Sequence, residues 1–282
     1  MKMPWTIAAL VMAGCAPSTL GAQTGSGDSL TCSQAARVAK GETTEIPRGV
    51  GVWRLRGCVQ EFGEVLPVLW RDPAVPDNVF DKVKEASLLV NDRRVFAGAM
   101  DAAKDGALPV ERRLAAMEVL AHYVDPSAAV TSEMLANPPG NPVLRTSTHS
   151  ALRPGGQPVS TDAATHALET FAAVSTGGGP IEVQRAAKYL RQAFAWQVPE
   201  ATPIQPGAVI ATWDCRGHFR MENRGDIDLP VTVLDSAGKR LQTFDLLAPA
   251  SPGAKPVVMT YDRTGPLALR LGSRTLQTLS CQ

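Results

Sequence analysis

The feature that most constrains this chain is a change of hydrophobic period near Pro199. Before it, apolar residues recur every three to four positions, as on the buried face of a helix. From Ala208 onward they alternate with polar ones, as in half-buried strands. The intervening Glu200–Gly207 (EATPIQPG) has the composition of a linker. A 282-residue chain has room for one large or two small domains. The sequence therefore predicts an α+β multidomain protein: an α-helical repeat, solenoid or bundle, followed by a small antiparallel β-sandwich. The boundaries are 23–51 for a flexible lead-in and N-terminal cap, 52–198 for the helices, 199–207 for the linker and 208–282 for the sandwich.

Asn78–Val124 is the clearest helical stretch. Pro109 suits a first helical position because its missing N–H costs nothing there. After it, Val110, Leu114, Met117, Ala121 and Val124 share one face, Ala116, Val119 and Tyr123 a second, and Glu111, Glu118 and His122 a third. A helix apolar on two sides needs two neighbours. The helix before it, from about Asp92, turns Val95, Phe96, Ala99, Met100 and Ala103 inward and stops at Asp105-Gly106.

Upstream, Leu30–Lys40 reads as a short helix followed by turns to Gly51, and Val52–Trp70 as one helix with a break or kink near Pro67. A weaker helix falls near 127–136. Residues 136–159, with five prolines and three glycines, read as a long surface loop. Helices resume at about Ser160–Ser175, and Pro180 opens the last one. There Val183, Ala186, Ala187, Leu190, Ala193 and Phe194 point inward, while Gln184, Arg185, Lys188, Arg191 and Gln192 form a solvated face. Seven strands follow, near 208–215, 217–223, 229–235, 239–246, 255–262, 266–271 and 274–281, which suits a sandwich.

The N-terminus reads as an export signal. Lys2 precedes the apolar run Trp5–Ala13, too short to span a bilayer but right for a secretory core. Two processing readings stand side by side. Val11-Met12-Ala13-Gly14-Cys15 resembles a bacterial lipobox, with the signal ending at Gly14 and Cys15 lipidated. Leu20-Gly21-Ala22-Gln23 allows ordinary cleavage of residues 1–22. Both predict a periplasmic or secreted protein, lipid-anchored to the envelope in the first case only. That leaves Cys32, Cys58, Cys215 and Cys281 in an oxidising compartment. The simplest pairing is Cys32–Cys58 and Cys215–Cys281, each within its own domain. A zinc site is the rival, without a CxxC or HxxxH spacing behind it.

A net charge of +1 gives no electrostatic case for nucleic acid. His122, His149, His166 and His218 are scattered, and a catalytic histidine needs a partner within hydrogen-bond reach. Nucleophile-elbow, phosphate-loop, dinucleotide and zinc-protease motifs do not occur. Gly177-Gly178-Gly179 precedes a helix without the strand or lysine of a phosphate loop. Arg224-Gly225-Asp226 spells an adhesion tripeptide that a Gly-Asp turn explains equally well. The sequence thus assigns no catalytic residue, metal ligand or cofactor.

Two segments, Leu108-Pro109-Val110-Glu111-Arg112-Arg113-Leu114-Ala115-Ala116 and Gly179-Pro180-Ile181-Glu182-Val183-Gln184-Arg185-Ala186-Ala187, share a flavour. Region 52–197 resembles HEAT-like or armadillo-like α-solenoids, with irregular spacing interrupted at 136–159. The strand count resembles immunoglobulin-like domains. The solenoid resemblance implies a binding surface without chemistry of its own. The leading expectation is an exported non-enzymatic envelope scaffold for a protein or peptide partner. A hydrolase or other enzyme with a site assembled from scattered residues, for which the 136–159 loop is one place, and a structural envelope lipoprotein are the alternatives.

Overall fold

The computed structural model describes residues 30–90, 92–140, 161–262 and 264–280. These contain nine helices: α1 (Cys32–Lys40), α2 (Arg48–Leu55), α3 (Val59–Arg71), α4 (Asp77–Leu89), α5 (Arg93–Lys104), α6 (Val110–Val124), α7 (Ser132–Ala136), α8 (Thr161–Thr176) and α9 (Ile181–Gln197). Seven strands follow: β1 (Val209–Trp213), β2 (His218–Asn223), β3 (Leu229–Leu234), β4 (Arg240–Leu246), β5 (Val257–Thr260), β6 (Leu267–Leu271) and β7 (Arg274–Leu279). Among the described residues no helix is long and apolar enough to cross a membrane.

Local chemistry sets the first helix. The Thr31 side chain accepts from the Gln34 N–H while the Gln34 side chain accepts from the Thr31 N–H, closing a capping box. Gly41 ends it in the left-handed conformation at φ 81°, where the Gly41 and Glu42 N–H groups reach back to Val38 and Arg37. Helix α2 then crosses closely over α1. A Cβ on Gly51 would lie 2.6 Å from the Ala39 nitrogen and 2.7 Å from the Ala35 oxygen.

Two expectations about this region change. The stretch read as turns up to Gly51 holds the first half of α2, and the single helix over Val52–Trp70 is two helices broken at Gly57-Cys58. Pro67 does not end α3. It packs against Gly98 of α5, whose added Cβ would sit 2.7 Å from the Pro67 Cα. Tertiary packing there outweighs the local cost of proline in a helix.

Consecutive helices pack as pairs for α1 with α2, α5 with α6 and α8 with α9, whereas α3 packs chiefly on α5 and α4 chiefly on α2. The odd members α1, α3 and α5 lie side by side in one layer, continued by α8. The even members α2, α4 and α6 lie in the other, continued by α9. Helix α6 sits centrally and is buried on nearly every side. Its predicted apolar faces are buried as expected, but so is Glu118, together with Arg112 and Arg113. Each of these charges has found a partner, which is the condition for burying it.

The strands form two antiparallel sheets, β1-β2-β5 and β4-β3-β6-β7. Ala211, Phe219 and Met221 of the first face Val231, Val233, Leu269 and Leu271 of the second across a common core. Ala195 of α9 joins that core. The helices and the sandwich are therefore packed together as well as linked. Arg191, expected on a solvated face, is buried at 4% exposure and bonds Asp226 in the β2–β3 turn. One turn position on, Gln192 and Asp228 exchange two hydrogen bonds: Gln192 Nε2 to the Asp228 carbonyl at 3.1 Å, and the Asp228 N–H to Gln192 Oε1 at 2.7 Å. Between helix and strand, Pro199–Ala201 forms a 3-10 turn with Ala201 and Thr202 buried, and Arg274 of β7 donates to the Thr202 carbonyl.

Candidate functional site in the cleft between α4 and α6

Where α4 and α6 lie side by side, they leave an open cleft of about 370 Å³, lined also by Ser132 of α7. Asp77, Phe80, Asp81 and Lys84 of α4 form one wall, and Glu111, Arg112 and Ala115 of α6 the other. The helical period explains this: positions 77, 80, 81 and 84 of α4 share a face, as do 111, 112 and 115 of α6. Proline caps both helices, Pro76 and Pro109, and neither supplies a capping side chain.

Two buried charges hold the walls. Arg112 donates from Nη1 to the Asp72 carbonyl at 2.7 Å and from Nη2 to the Val75 carbonyl, with Asp77 at 3.7 Å and the Phe80 ring beneath its guanidinium. It thereby fixes the α3–α4 turn against α6. Its Nε is buried without a hydrogen-bond partner among the described residues. Glu118 accepts from the Ser132 N–H at 2.7 Å and from Lys84 at 3.3 Å. A carboxylate at the start of α7 with an ammonium beside it is a helix cap with its counter-charge.

Lys84 also lies 3.4 Å from Ser132 Oγ, which raises the question of a serine nucleophile. The arrangement does not suit one. The ammonium is shared with a carboxylate, the separation is long for a nucleophile–base hydrogen bond, and the Ser132 N–H is already given to Glu118. The rim is freer. Asp81 and Glu111 are exposed, and among the described residues neither has an ion-pair partner. The cleft can therefore take a polar or cationic segment along helical walls.

The remaining sequence-marked residues that the structure describes lie apart from the cleft. Cys32 and Cys58 form the expected disulfide. Cys215 is disulfide-bonded, while Cys281, the partner expected for it, lies outside the described residues, as do Cys15 and His149. His122 Nε2 meets the Val130 carbonyl at 3.0 Å. His166 pairs with Glu169 on the surface of α8. His218 Nδ1 lies 2.7 Å from Asp214, where both are exposed on the β1–β2 turn. The Arg216 and His218 N–H groups hold the Asp214 carboxyl down to about 2.

The tripeptide Arg224-Gly225-Asp226 is used internally: Asp226 bonds Arg191, and Arg224 pairs with Glu222. Gly179 gives its carbonyl to Gln184, with the Arg113 guanidinium close by. The residues that sequence reasoning missed are Lys84, Arg112, Glu118 and Ser132. The only local signal was a run of charges on a helix otherwise apolar all round.

No family model, no curated protein and no solved structure matches this chain.

Proposed function

We propose that this protein is an exported, non-enzymatic envelope protein whose helical stack binds a protein or peptide partner along the α4–α6 cleft. The carrying observation is the cleft itself: an open trough of about 370 Å³ between neighbouring helices, with Asp81 and Glu111 unpaired on its rim. Paired helices stacked in two layers support the solenoid reading, whose usual role is to present an extended surface. The strand order β1-β2-β5 over β4-β3-β6-β7 supports the immunoglobulin-like reading of the sandwich. The Cys32–Cys58 disulfide supports an oxidising compartment, in keeping with the signal at Lys2–Ala13 and with either lipidation of Cys15 or cleavage after Ala22.

The test is site-specific photo-crosslinking in the exporting cell. A crosslinker at Asp81 or Glu111 should give one discrete adduct, absent when the same group replaces Lys239 in the β3–β4 turn. Asp81→Lys with Glu111→Lys should abolish the adduct formed from a crosslinker at Asp77. Equal labelling from all positions overturns the assignment.

A further inference from the structure

Beside α4, at the N-terminal end of its layer, α2 presents a surface of different character. Val50 and Trp53, one turn apart, are 49% and 39% exposed. Helix α2 contains no carboxylate, while Arg48, Arg54 and Arg56 lie in it or at its end. Each of these donates from Nε to a backbone carbonyl: Arg48 to Ala39, Arg54 to Leu30 and Arg56 to Trp53. Among the described residues none of the three pairs with a carboxylate, so their charges are not neutralised by the protein. The Arg56 guanidinium stacks on the Trp53 indole at 3.0 Å from the ring centre. Lys82 of α4 reaches the same ring at 5.5 Å but shares its charge with Glu85.

We infer that the α2 face is a docking surface for an anionic lipid bilayer, with Val50 and Trp53 entering the headgroup layer and Arg54 and Arg56 meeting lipid phosphates, while Arg48 lies on the buried side of the helix with Gly51, Val52 and Leu55. Exposed tryptophan flanked by arginine is the pattern that settles at membrane interfaces, where the indole is half wetted and the guanidinium meets phosphate. Unpaired cations are what an anionic leaflet attracts. The choice of occupant rests on charge: α2 carries no carboxylate, and Arg54 and Arg56 beside the exposed indole are left as free cations. Arg54 also ties α2 to Leu30 ahead of α1. The inference does not rest on the α4–α6 cleft.

The experiment is vesicle flotation of the full chain carrying Cys15→Ser, recovered after export, so that no acyl chain supplies the binding. Its mass reports whether the signal was removed, which separates failure of the export reading from failure of this one. Phosphatidylglycerol vesicles should float the protein and phosphatidylcholine vesicles should not, with binding falling as salt rises. Arg54→Gln with Arg56→Gln should weaken binding about fivefold for each charge removed. Val50→Ser with Trp53→Ser should weaken it at least as much in protein that circular dichroism shows to be folded at the assay temperature. Equal binding to neutral vesicles, unchanged binding by both double variants, or no flotation at all overturns the proposal, the last in favour of an acidic protein partner.

Discussion

Arg191 of α9 and Asp226 of the β2–β3 turn meet through two hydrogen bonds, Nη1 to Oδ2 at 2.5 Å and Nη2 to Oδ1 at 3.1 Å. The guanidinium is buried and the carboxylate partly open. Removing the carboxylate strands a buried cation between helix and sandwich. Asp226→Ala should cost about 2 kcal/mol, below the usual range for a fully buried pair because water reaches the acid side. Arg191→Met with Asp226→Asn should recover part of that loss. Chemical denaturation of the three proteins decides it; equal stability would mean that the pair is idle.

The same pair gives a pH dependence. Burial alone would raise the Asp226 carboxyl, but the hydrogen bond and charge of Arg191 outweigh it and hold the group below its ordinary value. A depressed folded value means that the stabilisation is complete above the unfolded value of about 4 and is lost as pH falls through the folded one. The melting temperature should fall on acidification below about pH 4, and fall less steeply in Asp226→Asn. Parallel curves for the two proteins would contradict the assignment.

Cys32 and Cys58 join the starts of α1 and α3 across a separation of 26 residues. A loop of that size is worth about 3 kcal/mol in the unfolded chain. Cys32→Ser with Cys58→Ser should lower the melting temperature by several degrees and raise amide exchange in α1 and α2 first. Exchange that rises instead in the sandwich would count against this account.

Gly98 and Gly106 form a matched pair. A Cβ on Gly98 meets the Pro67 backbone, while one on Gly106 meets nothing within 4 Å. Gly98→Ala should destabilise by about 1–3 kcal/mol through overpacking, and Gly106→Ala should stay within about 0.5 kcal/mol of the parent. Thermal melts of both variants check the contrast. If they match, the α3–α5 contact is looser than described.

Where the sequence could be read and where it could not follows from the range of the interactions. Period alone located α6, α9 and the strands, because burial of one face repeats locally. It could not single out Arg191 from Arg185 and Lys188, since the partner that buries Arg191 lies 35 residues away in another layer. Nor could it place the break at Gly57-Cys58 instead of near Pro67, where the contact with Gly98 of α5 keeps the helix packed. The α4–α6 cleft was illegible for the same reason. Glu118 resembles any surface glutamate until Lys84 and Ser132 are brought to it from other helices.

Arg48, Arg54, Arg71, Arg94, Arg112, Arg113 and Arg274 all donate to main-chain carbonyls, several of them at the turns between helices. Every residue type carries that oxygen. A turn held this way can change its side chains freely and remain in place, provided the arginine that grips it stays. Divergence should therefore run fastest in the connecting turns and slowest at those arginines, so two descendants of this chain could share little readable text and still stack their helices alike.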